Sequence, residues 1–233
     1  MSRSLFIGIL LVVCILVAAA GCTSQPPAGR TTAAAPPVTI AVPDTAIVQK
    51  TFVVFPEAPL NETEKSDILE LQEEEKFIAD LNAVLATQHT DIVLFQNIAN
   101  ISKIYQTADN VILLRYGIPN PEKDLAGVFA SQKLQLAYNN AINTGSMSAK
   151  DALMVDAAAE ELHIADLEAA IGRTDNRDTI FIYRQELITS RNNLRAISQA
   201  IAAYGSVYTP KYLSPAYYSS LINSPAEYVP LAK

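Results

Sequence analysis

The chain has 233 residues, enough for one sizeable domain with appendages, and 50% of them are hydrophobic, a globular composition rather than a disordered one. The formal net charge is −7, and Arg3 is the only charged residue before Cys22, so the remainder carries 24 acidic against 16 basic residues. That balance argues against nucleic acid or acidic lipid as an electrostatic partner, since both need clustered Lys and Arg. Two His, two Cys and no Trp limit the chemistry further.

At the N-terminus Arg3 precedes an apolar run from Leu5 to Ala20, followed by Gly21 and Cys22. The run is shorter than the ~20 residues of a comfortable membrane span and has the length of a signal-peptide core. The sequence AAGC at 19–22 resembles a lipobox, in which cleavage leaves Cys22 as the lipid-bearing first residue. The alternative is an uncleaved N-terminal anchor. Either way the expected location is the outer face of the cytoplasmic membrane, with the membrane itself as a partner through the anchor. Lipidation of Cys22 and loss of Cys14 leave no cysteine for a disulfide or a thiolate metal site.

The expected organisation is a signal peptide over 1–21, a Pro/Thr/Ala-rich tether over 22–59, a helical domain over 60–205 and a Tyr/Pro-rich tail over 206–233 packed upon it. The tether cannot bury a core and reads as an extended spacer. Within it AIVQKTFVVF, residues 46–55, is apolar and β-branched and is expected to act as a strap. Asn61 with Glu64 forms a capping box that opens a helix to about Thr87, striped by Leu71, Phe77, Ile78, Leu81 and Leu85. Thr90 is the candidate cap of a second helix reaching Tyr116, stopped by YGIPNP at 116–121. A long connection then holds a shorter amphipathic helix near Gln132–Asn143. Ser148 with Asp151 opens the third long helix, with Gly172 expected just past its end. The fourth runs from about Asp178 to Tyr204, before Gly205. Four long helices with one long crossover, which carries a short extra helix, describe an all-α four-helix bundle. Six of the ten tyrosines lie from Tyr204 onward; a tail of this kind either binds a glycan or peptide or, as expected here, buries its rings along the helices and leaves the hydroxyls wet.

Projection at about 100° per residue shows which polar groups point inward. Glu74 falls mid-stripe on the first helix, with Glu75 toward the edge. Ser102, Tyr105 and Asp109 fall on the stripe of the second helix. Glu160 is central on the third, with His163 on its flank, and Glu186 and Asn193 share one shoulder of the fourth. Glu73 and Glu161 are expected in solvent, with Lys76 beside Glu73. A buried carboxylate is costly unless paired, hydrogen-bonded or bound to metal. Glu160 could be held by a Tyr or Ser hydroxyl and His163 could be an ordinary partly buried histidine; alternatively, their Glu-x-x-His spacing offers a metal two ligands on one side.

The segments LQEEEKFIADL, NIANIS, LLRYGIPNP, GVFASQKLQLAY, DALMVDAAAEELHIADLEAAIGRTDN, SRNNLRAI and YTPKYLSP resemble, in order and spacing, the ferritin-like domain-of-unknown-function family 2202, from about Leu60 to Ile222. The resemblance implies a ferritin-like four-helix bundle and no agreed activity. The family pattern places a Glu and a His at Ser102 and Tyr105 and a His at Asn193, so three expected ligand positions hold other residues. A ferritin-like di-iron centre needs two interior histidines; of His89 and His163 only the latter is placed to serve. A reduced set of Glu74, Asp109, Glu160 and His163 could still hold a single Fe, Mn or Zn ion.

No Gly-rich phosphate loop, serine-hydrolase motif or open sugar cleft is evident. The reading is a lipid-anchored extracytoplasmic ferritin-like protein, non-catalytic, binding or scaffolding at the cell surface with no cofactor. Its degenerate centre would be a hydrogen-bonded cluster of Glu74, Glu160, Tyr105, Ser102 and Asn193. The alternatives are a metal-binding protein or oxidoreductase using the reduced site and, from the tail tyrosines, a glycan- or peptide-binding module.

Overall fold

The computed structural model describes residues 55–121 and 125–228. The segment expected to be a signal peptide, with Cys14 and Cys22, most of the expected tether including residues 46–54 of the expected strap, and the final residues 229–233 lie outside the described residues. Six helices follow in order: α1 Glu62–Gln88, α2 Val93–Arg115, α3 Gln132–Gly145, α4 Ala149–Arg173, α5 Arg177–Ala203 and α6 Pro215–Ile222. Among the described residues there is no strand, so the fold is all-α, and no helix is long and apolar enough to cross a membrane.

The helix ends follow local chemistry. Asn61 Oδ1 accepts from the Glu64 amide at 3.0 Å while the Glu64 carboxylate accepts from the Asn61 amide at 2.8 Å, the reciprocal capping box expected from the sequence. Ser131, Ser148 and Ser214 cap α3, α4 and α6 more simply, each hydroxyl accepting from the backbone amide three residues on. Thr90 does not cap α2. The helix starts three residues later with Ile92 at the cap and no side-chain hydrogen bond there, and Ile92 packs instead against the core. Gly172 likewise does not end α4, which continues to Arg173 and stops at an extended Thr174. Arg173 forks onto Asp67 of α1 at 2.7 and 3.0 Å, and Thr174 donates to Glu64 at 2.5 Å, so contacts with α1 hold the extra residue helical.

Short connections join α1 to α2 and α4 to α5 as two helical hairpins. Helix α1 also packs on α4, and α2 on α5, so each long helix touches two of the others. The crossover helix α3 lies against both α1 and α4, and α6 lies on α5. Ile68, Leu71, Ile78, Leu81 and Leu85 of α1 meet Phe95, Ile98 and Ile112 of α2, Leu153, Ile164 and Leu167 of α4, and Ile182, Leu194 and Ile197 of α5 in one buried cluster. At about 1.5–3 kcal/mol for each fully buried large aliphatic side chain, this cluster is the main stabilising term.

This packing also corrects the expectation for the flanking acids. Helix α1 is surrounded by α2, α3 and α4 and therefore buries more than one face. Glu73, expected in solvent, is buried and accepts from the Ala130 and Ser131 amides at 2.5 and 3.0 Å, anchoring the approach to α3. Lys76 is buried as well and pairs with Asp80 rather than with Glu73. Glu161, also expected in solvent, is fully buried beneath the tail. Its carboxylate accepts from the Tyr208 hydroxyl at 2.6 Å and from the Lys211, Tyr212 and Leu213 amides at 2.7–2.9 Å.

Candidate functional site

Between the four long helices lies an acidic interior. Glu74 and Glu75 of α1, Asp109 of α2, Asp156 and Glu160 of α4 and Glu186 of α5 are each no more than 4% exposed, and the one interior imidazole, His163, is 1% exposed. The heptad and half-heptad steps between Asp156, Glu160 and His163 put all three on the inner side of α4, and apolar neighbours such as Leu153, Ile164 and Leu167 bury that side.

His163 stands between the paired glutamates of α1. Its Nδ1 lies 3.1 Å from Glu74 Oε2 and its Nε2 lies 3.0 Å from Glu75 Oε2, the second an ion-pair distance that misses hydrogen-bond alignment. Burial alone would hold the imidazole neutral, but the two carboxylates outweigh it and raise its pKa well above the usual value, so the ring is an imidazolium bridging two acids. Glu74 itself is pushed up to about 7 by burial, against the pull of His163.

Glu75, which projection puts at the edge of its stripe, is the α1 acid that bears on the other helices: its charge raises the pKa of both Glu160 and Glu186. For Glu160 burial is the larger cause, with Asp156 and Glu75 adding to it, while the Asn193 amide donating at 2.9 Å and His163 oppose it. For Glu186 burial leads again, followed by Asp109, whose carboxyl lies within hydrogen-bonding reach. Asp156 is pushed up to about 7 by burial although Asn82 donates to it at 2.7 Å. Two carboxyls can approach one another only with a proton or a cation between them. Glu160 Oε2, Asp156 Oδ2 and both oxygens of Glu186 meet no N–H or hydroxyl donor.

The residues singled out from sequence are thus distributed as follows. Glu74 meets His163, and His163 and Glu160 feel one another's charge. Asp109 bears on Glu186, not on Glu74. Asn193 holds Glu160, whereas Tyr105 shares hydrogen bonds with Thr189 Oγ1 at 2.8 Å and the Gln185 carbonyl at 3.2 Å, away from Glu160. Ser102 is buried on α2. Sequence reasoning missed Glu75 as an interior acid and undervalued Glu186. The signal for Glu75 was the EEE run itself, since three successive residues fan through about 200° of a helix and cannot share one face.

As a ligand set, Glu75, Asp109, Glu160, Glu186 and His163 supply carboxylate oxygens from every long helix and, once Nε2 gives up its proton, one ring nitrogen, donors that suit Fe, Mn or Zn. The donor-free oxygens of Glu160 and Glu186 are where the interior lacks positive charge, although among the described residues the acids gathered within 4.8 Å of one another are Glu70, Glu74 and Asp166 rather than this set.

A family model described as an uncharacterized protein domain, DUF2202, matches residues 64–225. The uncharacterized protein MJ0754 of Methanocaldococcus jannaschii is 39% identical over 174 residues, which span 74% of this chain and 94% of that protein. A crystal structure of the hypothetical protein MJ0754 from Methanococcus jannaschii is similar with a TM-score of 0.71 at 38% identity, covering 74% of this chain and 98% of its own.

Proposed function

The chain belongs to the DUF2202 family, and from that premise we propose that it is a metal-binding protein of ferritin-like four-helix build. One observation carries the reading: all four long helices turn an acid into the same interior around a single imidazole, and Glu186 meets no N–H or hydroxyl there. Glu75, Glu160, His163 and Glu186 would hold a divalent ion, with Asp109 behind Glu186 and Glu74 orienting the imidazole through Nδ1. Such an ion would supply a positive charge in place of the protons that the buried acids otherwise need, and, if Fe or Mn, redox chemistry.

A second reading is favoured by the Asn193 amide on Glu160. In it the acids are neutralised by protons and amides, and the protein is a binding or scaffolding module without a metal. Under both readings the domain is held at the outer face of the cytoplasmic membrane by a lipid on Cys22 and displayed on its Pro/Thr/Ala-rich tether. The support for this is the sequence AAGC behind an apolar run.

Metal analysis by mass spectrometry, on the full chain purified without chelator, separates the two. The first reading expects about one equivalent of Fe, Mn or Zn, lost in Glu160→Ala and in Glu75→Gln. Metal-free protein whose Glu160→Gln variant is equally stable supports the second and defeats the first. Cys22→Ser is expected to release the protein from membranes, and retention of the variant would argue for an uncleaved anchor.

A further inference from the structure

A cavity of about 420 Å³ opens among α1, α3 and α4, outside the interior just described. Its walls are mainly apolar, with Phe77 of α1, Leu134 of α3, and Val155 and Leu162 of α4, and Asn140 and Thr144 of α3 add polar groups. Small residues such as Ala141 and Ala158, where α3 and α4 face one another, leave the volume unfilled. Its size falls within the range of small-molecule sites. The one buried charged group in its lining is Glu74, whose Oε2 is taken by His163 while Oε1 meets no hydrogen-bond donor.

Glu74 belongs at the same time to a second arrangement. One oxygen from each of Glu70, Glu74 and Asp166 lies within 4.8 Å of the other two. Glu70 is exposed and Asp166 half-buried, and of the three only Glu74 lines the cavity. Like charges this close favour a cation or proton among them, and oxygens no more than 4.8 Å apart let an ammonium nitrogen lie about 2.8 Å from each. An –NH3+ group carries three donors, one for each acid. The chain itself shows the attraction: the Lys133 ammonium reaches Glu70 at 3.3 Å, yet its side chain is 67% exposed and so is readily displaced. Inorganic cations would use the acids and ignore the cavity; a hydrocarbon would use the cavity and leave Glu74 unmatched.

We propose that this cavity binds a small organic primary amine, its ammonium held by Glu70, Glu74 and Asp166 and its apolar body lying along Phe77, Leu134, Val155 and Leu162. Lys211 and Tyr212 of the tail complete the lining, and the Glu161 carboxylate fixes their backbone. The site shares Glu74 with the interior, where that residue's Oε2 meets His163, so the test reads amine binding rather than metal content.

The test is isothermal titration of the full chain in lipid nanodiscs, with empty nanodiscs subtracted, using n-butylamine, n-hexylamine and n-octylamine. The expected result is one site per chain and an affinity that tightens about threefold to fourfold per added methylene, with hexanoate and hexanol at least tenfold weaker than hexylamine. Ala158→Leu, which fills the cavity, and Asp166→Asn, at the half-buried edge of the acids, are each expected to weaken hexylamine at least tenfold with helical circular dichroism unchanged. Equal or tighter binding of hexanoate would overturn the proposal, as would an affinity indifferent to chain length. Amine binding untouched by Ala158→Leu in a folded variant would do the same, leaving only an acidic surface cluster.

Discussion

Glu160 and Glu161 are adjacent on α4 and are both fully buried, but their surroundings differ in donors. Glu160 has a single amide on one oxygen, and its pKa is driven up by burial and by the acids around it. Glu161 is enclosed by the Tyr208 hydroxyl and three successive backbone amides, Lys211, Tyr212 and Leu213, a donor set suited to a full negative charge. The acid is thereby the fixed point on which YTPKYL folds back over the helices. Glu161→Gln keeps the shape but turns an amide NH2 toward donors that need an acceptor. Charge-assisted bonds of this kind are lost at a cost of about 2–4 kcal/mol, so the variant is expected to melt several degrees lower and to be cleaved in residues 206–214 under limited proteolysis. Glu160→Gln, by contrast, should cost little in metal-free protein, because a neutral side chain there relieves repulsion. Projection onto one stripe found Glu160 and lost Glu161, because a single stripe allows one buried face and α4 has a second one under the tail. No local pattern in EELHIADL announces a partner some fifty residues away.

At the scale of the element, helix ends were legible wherever a short-range bond makes them. The capping box at Asn61 and the serine cap of α4 bond within three residues and could be read directly. So could the close of α5: Gly205 has φ +68°, its amide bonds to the Ala202 carbonyl at 2.9 Å, and the Ser206 amide bonds to the Ile201 carbonyl at 3.3 Å, a Schellman end. What could not be read was an end decided by tertiary contact, as at Ile92 and Gly172. The two glycines give opposite predictions on substitution by alanine. Nothing lies within 4 Å of the added Cβ at either position, so packing is not involved. Gly205→Ala must hold an L residue in the left-handed region and is expected to cost about 1 kcal/mol. Gly172→Ala stands inside α4 and is expected to gain up to about 1 kcal/mol from helix propensity. Urea-unfolding midpoints that move the same way for both would refute this account of where α4 ends.

Across the whole molecule, the apolar pattern made the all-helical architecture readable, while the number of interior acids was underestimated because α1 and α4 are each enclosed by three other helices. That excess sets how stability responds to pH. Asp156 and Glu74 are pushed up to about 7, chiefly by burial, and burial also holds Glu160 and Glu186 well above the ordinary carboxylate range, whereas in the unfolded chain all four release their protons near pH 4. Between about pH 5 and 7 the native state therefore holds more protons than the unfolded one, and stability falls as pH rises through that window. His163, raised by Glu74 and Glu75, acts in the same sense: its contribution is complete below its unfolded value of about 6.5 and fades as pH climbs through the folded value. Glu64, though burial tends to raise it, is lowered on balance by its bonds to Thr174, Asn61 and Asn176, and it loses its contribution only as pH falls below its ordinary range. In chelator, Tm is accordingly expected to be highest near pH 5 and to drop by about 5 °C or more by pH 8, with Asp156→Asn flattening the profile. A divalent ion supplies the charge that the departing protons leave behind, so added Mn²⁺ or Zn²⁺ should raise Tm at pH 8 and have little effect at pH 5, where protons compete for the same oxygens. A Tm in chelator that climbs steadily from pH 5 to 8 would mean that the interior acids are already balanced by groups of the chain, and the argument for a cation among them would lose its physical basis.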